Sequence, residues 1–347
     1  MKVKKFLVLF CSLLIVLAMM AFDCKTASAA ENSTKKFTLK LNTYGANNTA
    51  DDKLLEDWTK IVEKRSNGRL KIDIYWSQAL GKITDLFQQL DTNLCDLGFA
   101  GYIFFPGKFP VTDVIGLPYL VTNSASTAVL LNGMLADGLL KEWDIGVKII
   151  AFLPTDPTLM FFRDKKITSM EQLKGMKIRA PGKANLDIVE ALGAIPTAIS
   201  TTDLYMSLDR GIIDGLCTSL GYYYPSKLYE VTKYALLEPM GAGMNFVVMS
   251  KSAWDKLPAD LQLIIEETSS EYFIRNINMQ IDQYVNKAIP GIKKEGIEVY
   301  QLSQSEKIKW DKATEKLVKN WIKAKEDSGL PGAEAVRRAM SLKEALQ

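Results

Sequence analysis

Histidine is missing from this 347-residue chain, and cysteine is reduced to four residues, Cys11, Cys24, Cys95 and Cys217. Without imidazole there is no Ser-His-Asp or Cys-His catalysis, no histidine general base and none of the usual His-bearing zinc sites, because each needs a group titrating near neutrality or a neutral nitrogen ligand. Net charge is also scarce, with 43 Lys and Arg against 40 Asp and Glu. Beyond the N-terminus no apolar run approaches the roughly 18 residues that cross a bilayer. What remains is ordinary globular composition, 48% hydrophobic and 24% charged, at a length that favours two domains over one.

Lys2, Lys4 and Lys5 precede the apolar run Phe6–Phe22, and Ala27, Ser28, Ala29 and Ala30 follow it. A charged lead, an apolar centre and a small-residue cleavage site make residues 1–30 an export signal, cut after Ala29 or Ala30. A membrane anchor is the competing reading, and the small-residue cluster weighs against it. Cys24 follows Asp23, which does not fit a lipobox. Residues 1–30 hold four lysines and one aspartate, so the mature chain has 39 basic and 39 acidic residues. That neutrality removes the clustered positive charge that nucleic-acid binding requires. Cys95 and Cys217 are left, either paired in an oxidising compartment or buried as free thiols.

The hydrophobic patterning is that of an α/β protein. Residues 37–43 alternate as a half-buried strand, Leu54, Leu55, Trp58, Ile61 and Val62 recur at helical spacing, and 69–76 and 95–100 read as further strands with a short helix between them. That order predicts a parallel sheet with crossover helices. The Gly-, Pro- and aromatic-rich stretch 101–119 falls at a strand's carboxyl end, where such sheets bind ligands. A second unit opens with a strand at 147–153 and continues through strands at 177–180, 195–199 and 212–218 and helices at 184–192 and 202–210, with another strand at 245–250. Capping boxes are expected at Thr168 with Glu171, Ser252 with Asp255 and Ser303 with Glu306. From Pro258 to about Ile289 the apolar spacing is helical, and Pro290-Gly291 is expected to end a helix on the order of 45 Å long, enough to run across both units.

Residues 168–218 carry a specific pattern: TSMEQLKGMKIRAPG, then EALGAIPTAISTTDLYMSLDRGIIDG. With TNLCDLGFAGYIFFPGKFPVTDVIGLPYL before it and SKSAWDKLPADLQ after it, this resembles the solute-binding proteins of TRAP transporters, the DctP-like family, over nearly all of residues 35–326. The resemblance implies a two-lobed, periplasmic-binding-protein-like α/β fold with two mixed sheets, crossing strands and one long helix spanning both lobes. Lobe I is expected over 31–152 plus 244–285 and lobe II over 153–243 plus 286–347. It implies a periplasmic protein, a monomer without cofactor, that captures a small organic acid and delivers it to the TRAP membrane permease subunits.

Arg179, in KIRAP, matches the family's carboxylate-binding arginine, and its planar fork suits two parallel charge-assisted hydrogen bonds. Asp214-Gly215 is followed in some members by an Asn, Gln or Glu that contacts ligand or metal, but here by Leu216-Cys217-Thr218-Ser219; this departure argues against a bound metal and against sialic acid specificity, while the Thr218 and Ser219 hydroxyls are expected to donate to the ligand. Arg163, beside Asp164, reads as a surface ion pair. Tyr44, Tyr102, Phe104, Phe105 and Tyr222, in loops after strands, with Met160 and Phe162 on the crossover, are expected to surround an apolar or aromatic monocarboxylate. A periplasmic enzyme or a sensor-associated binding protein on the same fold are the alternatives. An enzyme would need a nucleophile or an acid/base pair, and the candidates are scattered, such as Asp203, Asp214 and Cys217, none with a base at motif spacing.

Overall fold

The computed structural model of the chain describes residues 35–345, apart from 48, 122, 201 and 202. The export signal lies outside the described residues, as does the first position of the helix expected at 202–210. In chain order the elements are β1 (Phe37–Thr43), α1 (Ala50–Arg65), β2 (Leu70–Tyr75), α2 (Leu86–Asp91), β3 (Leu97–Gly101), α3 (Ser124–Ala136), β4 (Val147–Pro154), β5 (Thr158–Phe162), β6 (Lys177–Arg179), α4 (Gly182–Ala191), β7 (Ile195–Thr197), α5 (Leu204–Asp209), β8 (Gly215–Ser219) and α6 (Leu220–Tyr223). They continue with β9 (Tyr234–Leu236), β10 (Met244–Ser250), α7 (Lys251–Trp254), α8 (Ala259–Ile281), α9 (Ile289–Lys294), β11 (Glu298–Tyr300), α10 (Gln304–Asp327) and α11 (Gly332–Ala345).

Two mixed sheets result, one of order β2-β1-β3-β10-β4 and one of order β11-β9-β5-β8-β6-β7. In the first, β1 runs parallel to both β2 and β3, as the strand-helix-strand pattern requires, and β10 enters antiparallel between β3 and β4. The strand at 147 therefore does not open the second unit. It closes the first sheet as its edge, because β10 returns from far along the chain to pair with it. Residues 155–157 and 237–243 carry the chain between the sheets, giving the two-lobed architecture.

The first lobe has apolar residues on both sheet faces. One cluster gathers Leu41, Trp58, Leu97 and Tyr272 under α1 and α8, and the other gathers Phe105, Phe109, Trp143 and Phe246 under the aromatic loops. The second lobe is layered likewise, with Met160, Phe162, Ile178 and Trp310 on one side and Leu159, Phe161, Leu216 and Tyr223 on the other.

The expected spanning helix is there, but Pro290-Gly291 does not stop it. Residues 282–288 form a π-helical turn that leads into α9. Pro290 has no N–H to return to the preceding turn, and a one-residue widening of the turn is the usual way for a helix to pass such a gap. The run buries Leu261, Ile265 and Tyr272 in the first lobe and Ala288 and Ile292 in the second.

The tail departs from the grouping expected for 286–347. Trp310 of α10 sits in the second lobe's core, whereas Trp321 and Ile322, further along the same helix, and Ala335, Val336 and Ala339 of α11 pack into the first lobe. Arg338 pairs with Asp137 beyond the end of α3 at 2.9 Å.

The capping expectations shift. The box near 168 is made by Ser169 with Gln172, one residue on from Thr168 and Glu171. Ser252 lies inside α7, whose first residue is Lys251, so it caps nothing and instead donates to Asn93 Oδ1 at 2.7 Å. Ser303 caps α10, accepting from the Glu306 N–H at 3.3 Å, but the Glu306 carboxylate does not return to close the box; it accepts from the Met170 N–H at 3.1 Å and pairs with Lys309 at 2.6 Å.

Candidate functional site

Strand β6 ends at Arg179, and the register of β6 against β8 sets Arg179 beside Leu216. Side chains alternate along a strand, so Arg179, Leu216 and Thr218 share one face of the second sheet. Arg179 as a whole is 7% exposed. Its Nε donates to the Ile199 carbonyl at 3.1 Å and Nη1 donates to the Cys217 carbonyl at 3.4 Å. Among the described residues no carboxylate lies within ion-pair distance of it. Burial holds its pKa below the usual guanidinium range, and Cys217 and Tyr222 push the other way.

Arg179 lines a depression of about 600 Å³ together with Pro181, Gly182, Lys183, Leu186 and Ile199. The N-terminus of α4 opens onto it, with Pro181 at the cap, which makes no side-chain cap hydrogen bond. A fork-shaped cation beside uncapped helix N–H groups is a surface suited to an anion. Lys183 is the other cation of this wall, and its ammonium is already paired with Asp187 at 2.7 Å.

The other expected site residues divide. Thr218 is buried on the face of Arg179. Ser219 is spent structurally: it caps α6, its Oγ accepting from the Tyr222 N–H at 3.3 Å, and its hydroxyl also supports Asp156. Tyr222 is 36% exposed and close enough to Arg179 to influence its charge. Tyr44 is half-buried, donates to Asn245 Oδ1 at 3.1 Å and stacks near Phe99 and Phe104, with ring centroids 5.8 and 4.9 Å away.

Tyr102 and Phe104 occupy a short 3-10 turn at the end of β3. The Tyr102 hydroxyl lies near Gly116, and burial pushes its pKa up. Met160 and Phe162 do not belong with these residues. Both are fully buried among Ile167, Ile178 and Leu236 on the opposite sheet face from Arg179, because β5 alternates and only Leu159 and Phe161 point to the Arg179 side. Phe105 is likewise core, set between Phe87 and Phe246. Arg163 pairs with Asp164 at 3.2 Å on the surface.

Cys95 and Cys217 are buried free thiols in different lobes, so they do not pair. Burial pushes both up to about 12, which leaves them un-ionised. Among the described residues no cluster of three Asp, Glu or Cys could hold a metal ion.

Two residues that sequence patterning did not single out join the hinge side of the site. Asp51, at the first turn of α1, accepts from Asn245 Nδ2 of β10 at 3.2 Å and from Gln280 Nε2 of α8 at 3.1 Å, tying the returning strand to the long helix. Asp156, on the crossing 155–157, accepts from the Gly221 N–H at 3.1 Å. Their only sequence signal was an acidic first turn and a lone aspartate between strands, neither of which indicates position across the fold.

Burial, and for Asp51 also the neighbouring Asp156, raises both carboxyls to about 6; burial does the same for Asp113. A carboxyl raised in the folded state holds a proton that the unfolded chain has already lost. Its stabilising effect is therefore complete below about pH 4 and lost as pH rises through about 6. With no imidazole competing in that window, the melting temperature is expected to rise when pH is lowered from 8 to 5.5. A scan in matched ionic strength in which it falls throughout would contradict this.

Two lobes joined by crossing segments and a spanning helix, with a buried cation that has no carboxylate partner among the described residues, define a solute-binding protein. Residues 41–325 match the family model for bacterial extracellular solute-binding protein family 7, DctP. The chain belongs to that family, the extracytoplasmic solute receptors of TRAP-type transporters. It is 25% identical over 290 residues to the C4-dicarboxylate-binding periplasmic protein DctP of Rhodobacter capsulatus, covering 79% of this chain and 83% of that one.

Among solved structures it is similar to a marine metagenome TRAP solute-binding protein described as specific for aromatic acid ligands, in complex with 3-hydroxybenzoate. The TM-score is 0.80 and the identity 24%, covering 90% of this chain and 99% of that one. A TRAP solute-binding protein of Rhodoferax ferrireducens in complex with benzoate superposes with a TM-score of 0.78 at 21% identity, covering 89% and 98% of the two chains. Both likenesses bear on the fold.

Proposed function

We propose that this receptor is periplasmic and captures a monocarboxylic acid with an apolar or aromatic body between its lobes, with Arg179 holding the carboxylate, and hands it unaltered to the membrane permease. The observation that carries this reading is the Arg179 guanidinium, buried beside an open depression with no carboxylate partner among the described residues. A buried cation of that kind is costly until a counter-charge arrives, and the arriving carboxylate supplies it. Tyr222 and Thr218 are its neighbours on the second lobe, and Tyr44, Tyr102 and Phe104 form the aromatic side of the first. Lys183 is engaged with Asp187, which leaves a second carboxylate without a free cation on this wall and favours a monoacid. The aromatic-acid complexes of the two similar structures support the same class.

The lobes are taken as 31–152 with 244–285 and 153–243 with 286–327, with α11 assigned to the first. A monomer without cofactor suffices for capture by closure of one lobe on the other. Thermal-shift titration with benzoate, 3-hydroxybenzoate, succinate and benzamide tests the reading. Upward shifts are expected for the aromatic monoacids and none for the amide. A shift with benzamide equal to that with benzoate would sink the carboxylate anchor, and recovery of a chemically changed acid would sink the receptor reading in favour of an enzyme.

A further inference from the structure

One turn of the first lobe comes within contact distance of a helix of the second. Residues Thr112–Gly116 form a 3-10 segment whose Thr112, Val114, Ile115 and Gly116 are buried. A methyl group added to Gly116 would lie 3.4 Å from the Ala184 Cβ of α4 and 3.5 Å from the Tyr102 hydroxyl. Ala184 belongs to the helix whose Gly182, Lys183 and Leu186 line the Arg179 depression. The turn thus meets the wall of the proposed site.

This turn cannot yield. On its far side Gly241, in the crossing segment 237–243, has φ +99, and a Cβ there would be 2.6 Å from the Gly116 carbonyl oxygen. The Ala242 N–H donates to the Ile115 carbonyl at 2.8 Å. Glu142 Oε1 accepts from the Thr112 N–H at 2.8 Å and from its hydroxyl at 2.9 Å, and the Trp143 indole donates to the same hydroxyl at 2.9 Å. Helix α11, which lies beyond the family-matched residues 41–325, packs against the turn from outside. A segment held on this many sides transmits a clash instead of absorbing it.

We propose that Gly116 and Ala184 form the closing contact of the two lobes, setting how far the cleft shuts over the Arg179 depression and hence the size of acid it encloses. The inference rests on the receptor reading above. A methyl at Gly116 meets ordinary contact distances, whereas a longer side chain needs space that Ala184 and Tyr102 already occupy. The second lobe must then stand further off, and the closed population falls.

The test places the same obstruction on either lobe. Gly116→Leu and Ala184→Leu are each expected to weaken binding of 3-hydroxybenzoate by about tenfold or more, and Gly116→Ala by less than about threefold. Interlobe distances are read by pulsed electron resonance between spin labels on Val129→Cys of α3 and Met206→Cys of α5. Both positions are exposed, while native Cys95 and Cys217 are buried away from the reagent. Both leucine variants are expected to lose the shortest distance population, with or without the acid, while retaining the wild-type far-ultraviolet circular dichroism.

Unchanged distances in either leucine variant, or a wild type that never populates the contact distance, overturns the proposal. Arg179→Ala is the control for the underlying reading. It removes affinity while leaving the ligand-free distance profile as in the wild type, so failure of the anchor and failure of the closing contact give different results.

Discussion

Arg179→Ala is expected to lower affinity for a carboxylate ligand by roughly 30-fold to several thousand-fold, the range that follows from a loss of about 2–5 kcal/mol when one partner of a buried charge pair is truncated. Arg179 is 7% exposed, and Nε and Nη1 are oriented by two carbonyls. The fork is thus held in place before any ligand arrives, and little side-chain entropy remains to be lost on binding. Arg179→Lys keeps a positive charge but loses the planar fork and both orienting donors, so an intermediate loss of about tenfold or more is expected.

Without ligand the substitution to alanine should not lower the melting temperature, because it removes a desolvated cation that has no carboxylate partner among the described residues. Isothermal titration with the acid giving the largest thermal shift measures the first effect and scanning calorimetry the second. Unchanged affinity in the alanine variant would remove Arg179 as the anchor.

Phe246→Ala is expected to cost about 3–5 kcal/mol of folding stability, as emptying a large aromatic site does. Phe246 is fully buried in the middle of β10. Its ring is 5.0 Å from Trp143 at 80°, 5.8 Å from Phe105 and 5.9 Å from Phe109 at 71°, so edge-to-face pairs are lost along with buried area. These partners come from the loop 105–109 and the 3-10 turn at 141–143, neither of which has a sheet ladder of its own, so their order depends on the ring cluster. Urea titration at equilibrium reads the cost. Phe246→Leu, which keeps much of the volume, is expected to cost about 1 kcal/mol. An alanine variant losing less than about 1 kcal/mol would mean that the ring cluster does not hold these loops.

Much of the secondary structure was legible along the chain. Alternation marked β1 and β2, and 3.6-residue spacing marked α1, α8 and α10, because each buries one face and that burial imposes its period on the residues. The tail's return to the first lobe was not legible. Trp310, Ala313, Leu317 and Trp321 form one helical stripe, and nothing in its period states that Trp310 enters one core and Trp321 another. The π-turn ahead of Pro290 was hidden for a similar reason: proline reads as a stop unless a neighbouring lobe holds the helix beyond it.

Arg179, the proposed anchor, was singled out by the motif that carries it. Met160 and Phe162 were misplaced because an apolar strand buried on both faces has no alternation to say which side faces a ligand. Asp51, Asp156 and the Gly116 contact join segments far apart in sequence, and local pattern carries no information about such pairs.

The residues by themselves determined the absence of imidazole chemistry, the neutrality of residues 31–347, the α/β class and the family, since these depend on composition, period and motif spacing. Tertiary structure alone decided which apolar side chains became core, that the two thiols sit in separate lobes, and that one arginine is buried beside an open depression. Those outcomes follow from how strands of distant sequence register against one another, where a shift of one residue exchanges a core side chain for one that faces the cleft.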